Sequence, residues 1–266
     1  MNSYETQFSS NFKKKVLQAV IKAGQIAKNC NENKIKIWEK SESQPVTNAD
    51  IEINKFLKAF FKKLTPSFGW LSEESKDDFS RKNKNLFWCV DPIDGTRSFI
   101  KGKPEYTISV ALIKKTIPII GIIYNPLTEE LFFAEKNRGA FCNNNKIIVS
   151  KTHHVENCKI AISSSEEKII QNFKLFKHLN AIKMGSIAYK IALVAKGEID
   201  IALSFTKKND WDLAAAFILL NEAGGIVTNL NGNKINFNTD NLRISDVLAC
   251  NKILNKKIVI KTASKV

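Results

Sequence analysis

"FWCVDPIDGTRSFIKG", residues 87–102, sets an apolar run directly against two aspartates three residues apart. The run to Val90 reads as a core strand, with Asp91, Asp94, Gly95 and Thr96 delivered at its mouth. Carboxylates left at the end of a buried strand cost free energy unless something positive sits with them. The stretch therefore asks for a cation, and the segments on either side decide how the site is built.

Upstream, Phe12, Val16, Val20, Ile21 and Ala27 recur at helical spacing, and "KIKIW" follows as a short strand ending at Trp38. "PVTNADIEINKFLKAFFKKL" then gives a turn, a cap candidate in Thr47 or Asn48, and a second helix that begins near Asp50. Its inward face carries Ile53, Phe56, Leu57, Phe60, Phe61 and Leu64. From Phe68 to Val149 the texture is strands, "FGWL", "LFWCV", "YTISVALI", "IPIIGIIY" and "LFFAE". Helices followed by a largely antiparallel sheet describe an α+β unit over residues 1–150.

From residue 151 the order alternates. "KIAISS", "DIALSF", "GIVTNL" and "VLACN" read as strands, while "EEKIIQNFKLFKHL", "GSIAYKIALVAKG" and "DLAAAFILLNEAGG" read as helices, the last with Gly224 near its C-cap. Residues 151–266 thus form an α/β unit, and without a linker or repeat the two units should pack as one body.

The composition bounds the rest. The chain has 266 residues and is 44% hydrophobic, enough for a sizeable core. The formal charge of +15 comes mostly from lysine and lacks any recognition motif or aromatic interleaving, so nucleic acid is not the expected partner. It reads as a solvated surface that would also attract a small polyanion. Five cysteines (Cys30, Cys89, Cys142, Cys158 and Cys250) without C-x-x-C spacing speak against a disulfide framework or zinc site. They read as small buried hydrophobes. The histidines His153, His154 and His178 have no neighbouring ligand pattern. "VLQAVIKAGQIA" is interrupted by Gln18, Lys22 and Gln25, which suits an amphipathic helix better than a signal peptide, and no stretch approaches a membrane span. The expectation is a soluble, cytoplasmic protein.

The carboxylates that could hold a cation are Glu73 and Glu74 in "WLSEES", Asp91 and Asp94 in "DPIDGT", and Asp212 in "NDWDLAAA". Alone, each has a plainer reading: a solvated acidic turn, an aspartate-stabilised turn, a helix N-cap. Together, each next to a core element, they can converge at one rim. A hard cation such as Mg²⁺ takes such oxygen ligands together with water and phosphate oxygens.

"PVTNAD", "WLSEES", "WCVDPIDGTRSFIKG" and "DWDLAAAFILLNEAGG" together resemble the inositol monophosphatase family of Mg²⁺-dependent, lithium-sensitive phosphatases, over nearly the whole chain. The resemblance implies a layered αβαβα sandwich of mixed α+β and α/β character, and a phosphomonoesterase using two or three Mg²⁺ ions. It assigns Glu73, Asp91 and the Ile93 carbonyl to a first ion, and Asp91, Asp94 and Asp212 to a second, with Glu73 bordering a weaker third. Two cations about 4 Å apart can activate water and neutralise a leaving oxygen. By the same resemblance Asp50 and Thr96 orient and deprotonate the attacking water and, with Glu73, make the catalytic set. Gly95 and Thr96 would offer N–H groups to the phosphate, a Cβ at Gly95 would obstruct that approach, and Gly185 and Ser186 would line the substrate pocket. Homodimers are common in the family, but no stretch here identifies an interface.

For the substrate, inositol-specific members carry a glutamate seven residues before the aspartate of "WD", where this chain has Phe205. Lys190 stands where members that cleave 3′-phosphoadenosine 5′-phosphate carry lysine, and could meet a second phosphate while Phe205 packs on the base. "FIKGKPEYTISVAL" resembles those bacterial bisphosphate nucleotidases too. The first expectation is therefore a 3′(2′),5′-bisphosphate nucleotidase, and the second is an inositol-1-phosphate or related sugar-phosphate phosphatase. In plainer readings Lys190 is a helix surface charge and Phe205 a core residue. A non-catalytic regulatory or RNA-associated role is the remote alternative, opposed by the complete set Asp50, Glu73, Asp91, Asp94, Thr96 and Asp212.

Overall fold

The computed structural model describes residues 8–32, 35–40, 45–176, 178–179 and 181–263. Helix α1 (Ser10–Glu32) is followed by the hairpin strands β1 (Ile37–Glu39) and β2 (Pro45–Thr47) and by α2 (Asn48–Leu64). Strand β3 (Gly69–Ser72), the short helix α3 (Ser80–Asn83), β4 (Leu86–Asp94) and α4 (Thr96–Ile100) lead into the meander β5 (Thr107–Lys114), β6 (Ile117–Asn125), β7 (Glu130–Glu135), β8 (Gly139–Cys142) and β9 (Asn145–Ile147). These last strands and β3 and β4 make a seven-stranded sheet in sequence order, antiparallel except for the β3–β4 pair.

The remaining chain runs β10 (Ile160–Ile162), α5 (Glu167–Gln171), β11 (Ala181–Lys183), α6 (Ile187–Lys196), β12 (Ile201–Ser204), β13 (Lys208–Asn209), α7 (Asp210–Glu222), β14 (Gly225–Thr228), β15 (Arg243–Ile244), β16 (Val247–Asn251) and α8 (Lys252–Ala263). A five-stranded sheet has the order β11-β10-β12-β16-β14, parallel among its first three strands and antiparallel beyond.

Both faces of the larger sheet are buried, which is why its strands read as unbroken apolar runs. Along β4, Trp88 and Val90 enter a core shared with α1 and α2, while Phe87 and Cys89 enter one shared with α6 and α7. Helices α6 and α7 also cover the inner face of the five-stranded sheet, and Leu254 and Ile258 of α8 with Ile170 of α5 cover its outer face. The result is the αβαβα sandwich. Residues from both sides of position 150 share the central core, Ile147 with Ala161 and Ala111 with Ala215 among them.

Two local expectations are corrected. Strand β4 does not end at Val90 but continues through Asp94. The helix expected in "EEKIIQNFKLFKHL" stops at Gln171, beyond which bonds from Phe173 N to Ile170 O, Phe176 N to Phe173 O and Leu179 N to Phe176 O build successive turns. That three-residue period puts Ile170, Phe173, Phe176 and Leu179 onto the same core and imitates helical spacing in the sequence. The C-terminal helix α8 was not anticipated.

Candidate active site

Asp91 and Asp94 lie three residues apart, and in a regular strand they would face opposite sides of the sheet. Asp91 pairs with Ser109 and Asp94 with Thr107, so three steps on β4 oppose two on β5. The bulge, which contains Pro92, brings both aspartates to the face carrying α6 and α7. Asp91 is buried and its Oδ1 accepts the Ile93 N–H at 3.0 Å. Asp94 Oδ2 accepts from Ser186 Oγ at 2.6 Å and from the Ala188 N–H at 2.7 Å, at the start of α6.

Asp50 and Asp212 are placed by one device used twice. Each is the third residue of its helix and closes a capping box, Asp50 with Thr47 on α2 and Asp212 with Asn209 on α7. Asp50 Oδ2 accepts from Thr47 N at 2.7 Å and Thr47 Oγ1 at 2.6 Å, and Asp212 Oδ2 accepts from Asn209 N at 2.7 Å. Thr47 is thus the cap, and Asp212 serves its helix from the third position rather than as the N-cap residue. The Thr96 hydroxyl lies 3.4 Å from Asp50 Oδ1 and 3.0 Å from the Ile93 carbonyl.

Carboxylate oxygens of Glu73, Asp91 and Asp212 lie within 4.8 Å of one another. Burial, then the charge of Glu73 and the neighbouring aspartates, drives Asp91 and Asp212 well above the ordinary carboxylate range. Asp94 is also raised by burial, against its bonds to Ser186 and Ala188. Burial pushes Asp50 to about 6 and Glu74 to about 7. The donors are all oxygen, crowded and negative, which fits a hard divalent cation. Ile93 O keeps a second lone pair for such an ion while accepting from Thr96.

Lys40, which no sequence pattern marked, reaches Glu73 at 3.4 Å and also pairs with Glu74. Nothing distinguishes it from the other lysines until the chain folds. Arg81 is fully buried: its Nε donates to Asp77 Oδ2 at 2.7 Å and its Nη1 to Asn238 Oδ1 at 2.7 Å and Thr239 O at 3.1 Å. The Asn238 N–H in turn donates to Asp210 Oδ2 at 2.6 Å. This chain of bonds joins the loop after Glu73 to the first turn of α7, which carries Asp212.

On the substrate side, Gly95 takes φ 97°, and a Cβ there would lie 2.7 Å from Glu105 O and 3.2 Å from Ser186. Its freedom serves this crossing of chains, a different reason from the expected approach of phosphate. A Cβ on Gly185 would clash with Ser98 Oγ. Ser186 caps α6, accepting from Tyr189 N at 2.9 Å. Lys190 is no helix surface charge. It has no exposed area, and its Nζ donates to Ser163 Oγ at 2.8 Å. Phe205 is half-buried and stacks on Phe173, with ring centroids 4.9 Å apart and planes at 29°. Glu166 was missed, although "SSSE" carries the S-x-x-E pattern of a capping box.

The sequence model of the inositol monophosphatase family matches residues 9–266. Among curated relatives, the inositol-1-monophosphatase of Bacillus subtilis is 32% identical over 220 residues, 80% of this chain and 81% of that protein. The 3′(2′),5′-bisphosphate nucleotidase CysQ of Buchnera aphidicola is 29% identical over 239 residues, 86% of this chain and 89% of its own length. Among solved structures, the extragenic suppressor protein suhB from Bartonella henselae superposes with a TM-score of 0.85 at 28% identity, covering 97% of this chain and 100% of that one. With the fold, the acidic rim and a family match along the described chain in agreement, this protein belongs to the inositol monophosphatase family and is a phosphomonoester hydrolase.

Proposed function

We propose that the chain hydrolyses a small phosphate ester with Mg²⁺ and water, without a covalent phosphoenzyme. The observation that carries this is the convergence of Glu73, Asp91 and Asp212 beside the Asp50–Thr96 pair. Glu73, Asp91 and Ile93 O would hold one ion and Asp91, Asp94 and Asp212 another, with Glu73 bordering a third. Bound there, Mg²⁺ supplies Lewis acidity to the ester and lowers the proton affinity of coordinated water. Thr96 Oγ1 gives its proton to Ile93 O and keeps lone pairs to receive a hydrogen bond from the incoming water. Asp50, fixed through Oδ2 by Thr47, offers Oδ1 to accept the proton that water loses. Ser186, held by Asp94, borders the phosphate with Gly95 and Gly185.

The ester proposed first is 3′-phosphoadenosine 5′-phosphate. Its support is the half-buried Phe173–Phe205 stack, an aromatic surface for a base where inositol-specific members have a carboxylate. Inositol-1-phosphate is the second reading. Its support is the complete burial of Lys190, which takes that ammonium out of direct reach of a second phosphate. Five buried, unpaired cysteines suit a reducing compartment and a cytoplasmic enzyme.

The test is phosphate release in Mg²⁺ with both esters in parallel, reported as a ratio of kcat/KM. A ratio well above one for the nucleotide carries the first reading, and a ratio well below one replaces it with the second. Release that persists after chelation overturns both.

A further inference from the structure

Glu166 has no exposed area and lies outside the acidic rim, yet it collects more donors than any of the rim carboxylates. Its Oε1 accepts from Ser204 Oγ at 2.7 Å, Phe205 N at 2.7 Å, Thr206 N at 3.2 Å and Thr206 Oγ1 at 3.2 Å. Its Oε2 accepts from Ser163 N at 3.1 Å. Successive backbone N–H groups converging on one anion form a nest, normally a place for an external ligand. Here an internal carboxylate fills it, so the turn after β12 takes its shape from Glu166. Thr206 Oγ1 also receives Lys208 Nζ at 2.7 Å, and Asn209, the cap of α7, follows directly.

The charge of Glu166 is balanced from behind. Lys190 donates to Ser163 Oγ, and its positive charge acts on Glu166 without a direct ion pair among the described contacts. Phe205 then stacks on Phe173, seven residues along the chain from Glu166. Two independent attachments therefore tie residues 163–176 to residues 204–206, one polar and one aromatic.

We propose that Glu166 is the positioning residue of the turn after β12, residues 204–208, holding Phe205 where the non-phosphate part of the substrate rests, with Lys190 as its counter-charge. The inference rests on the phosphatase reading and on neither choice of ester. Glu166 does not touch substrate. It decides where that turn stands, and the acidic rim keeps its own anchors at Asn209, Thr47 and Ser186.

The experiment compares wild type, Glu166→Gln and the double variant Glu166→Gln/Lys190→Met. KM and kcat are measured for whichever of several phosphate esters the wild type hydrolyses best, and for p-nitrophenyl phosphate. Hydrogen exchange is followed at the Phe205 and Thr206 amides. In Glu166→Gln the expected result is faster exchange at those two amides, a KM raised about tenfold for the best ester with kcat little changed, and Mg²⁺ affinity by calorimetry within twofold of wild type. The double variant no longer buries an unbalanced ammonium, so its melting temperature recovers while KM stays high. Retained amide protection, or lost protection with unchanged KM, would overturn the proposal. So would a parallel loss on both esters that recovers with the melting temperature, which is the pattern of a purely structural residue. A preference for the other ester in wild type changes only the substrate reading.

Discussion

Asp94 commits one carboxylate oxygen to Ser186 and the Ala188 N–H and must do its remaining work with the other. Replacing it by asparagine keeps the shape but removes the charge that would balance the proposed cation. Asp94→Asn is expected to lower kcat/KM at least a hundredfold and to weaken Mg²⁺ binding in calorimetry, with an unchanged circular dichroism spectrum. Activity within tenfold of wild type would remove Asp94 from the site. Thr96 is tested by its hydroxyl: Thr96→Ala should reduce kcat by about two orders of magnitude, the scale of one acid–base contribution, and Thr96→Ser should restore most of it. Lys190 makes a statement about stability. Burial, outweighing the attraction of Glu166, holds it down at about 8 against an ordinary value of 10.5. Between those values the unfolded chain binds the proton and the folded chain does not, so folding gains stability as pH rises across that window. Urea unfolding at pH 7 and pH 10 should show wild type gaining relative to Lys190→Met, and an identical pH dependence of the two proteins would contradict the burial.

At the level of elements, α2 and α7 each begin with a box that includes a site carboxylate. Thr47→Ala is therefore expected to do two things at once. It should cost about 1 kcal/mol in urea unfolding, the usual worth of a cap, and lower kcat because Asp50 loses a hydroxyl donor to Oδ2. Loss of stability with kcat intact would separate the cap from the chemistry. The elements also show what a sequence can and cannot disclose. "DPIDGT" and "WDLAA" were legible because their carboxylates are placed locally, by a bulge and by the first turn of a helix. "NFKLFKHL" misled because a run of three-residue turns and a helix both return apolar residues to the same side every three positions. Lys40, Arg81 and the partners of Glu166 at residues 204–206 were invisible. Their meaning arises only when segments tens of residues apart meet, and each is one more charged residue until then.

For the whole molecule, the rim draws Asp91 and Asp94 from the larger sheet, Glu73 from the turn directly after β3, and Asp212 from the helix that separates the two sheets. Their relative position depends on packing across the sandwich, and Arg81 is one charged group that ties the segments together, through Asp77 on one side and Asn238 on the other. Arg81→Met removes one donor from the part-exposed Asp77, which keeps the Phe79 N–H, and the Nη1 donor from Asn238 Oδ1. It should cost ~2 kcal/mol of stability, the scale of lost hydrogen bonds to a charged group. It should also weaken Mg²⁺ binding measured below the melting temperature, because Glu73 and Asp212 are no longer held in register. Unaltered Mg²⁺ affinity in a destabilised protein would confine Arg81 to folding. The alternation of strand and helix patterns made an α+β unit followed by an α/β unit readable, while the five-layer stacking was implied by the family resemblance.

The twin capping boxes bear on how a descendant of this chain could lose its activity. With Asp50 and Asp212 in the roles proposed above, selection for turnover and selection for a well-started helix would both act on each of them. A lineage that abandoned hydrolysis would still be penalised for discarding either one. Finding those two aspartates in a distant copy would therefore say little about whether that copy is an enzyme. Asp91 and Thr96, which begin no long helix, are the positions where disuse would first be written.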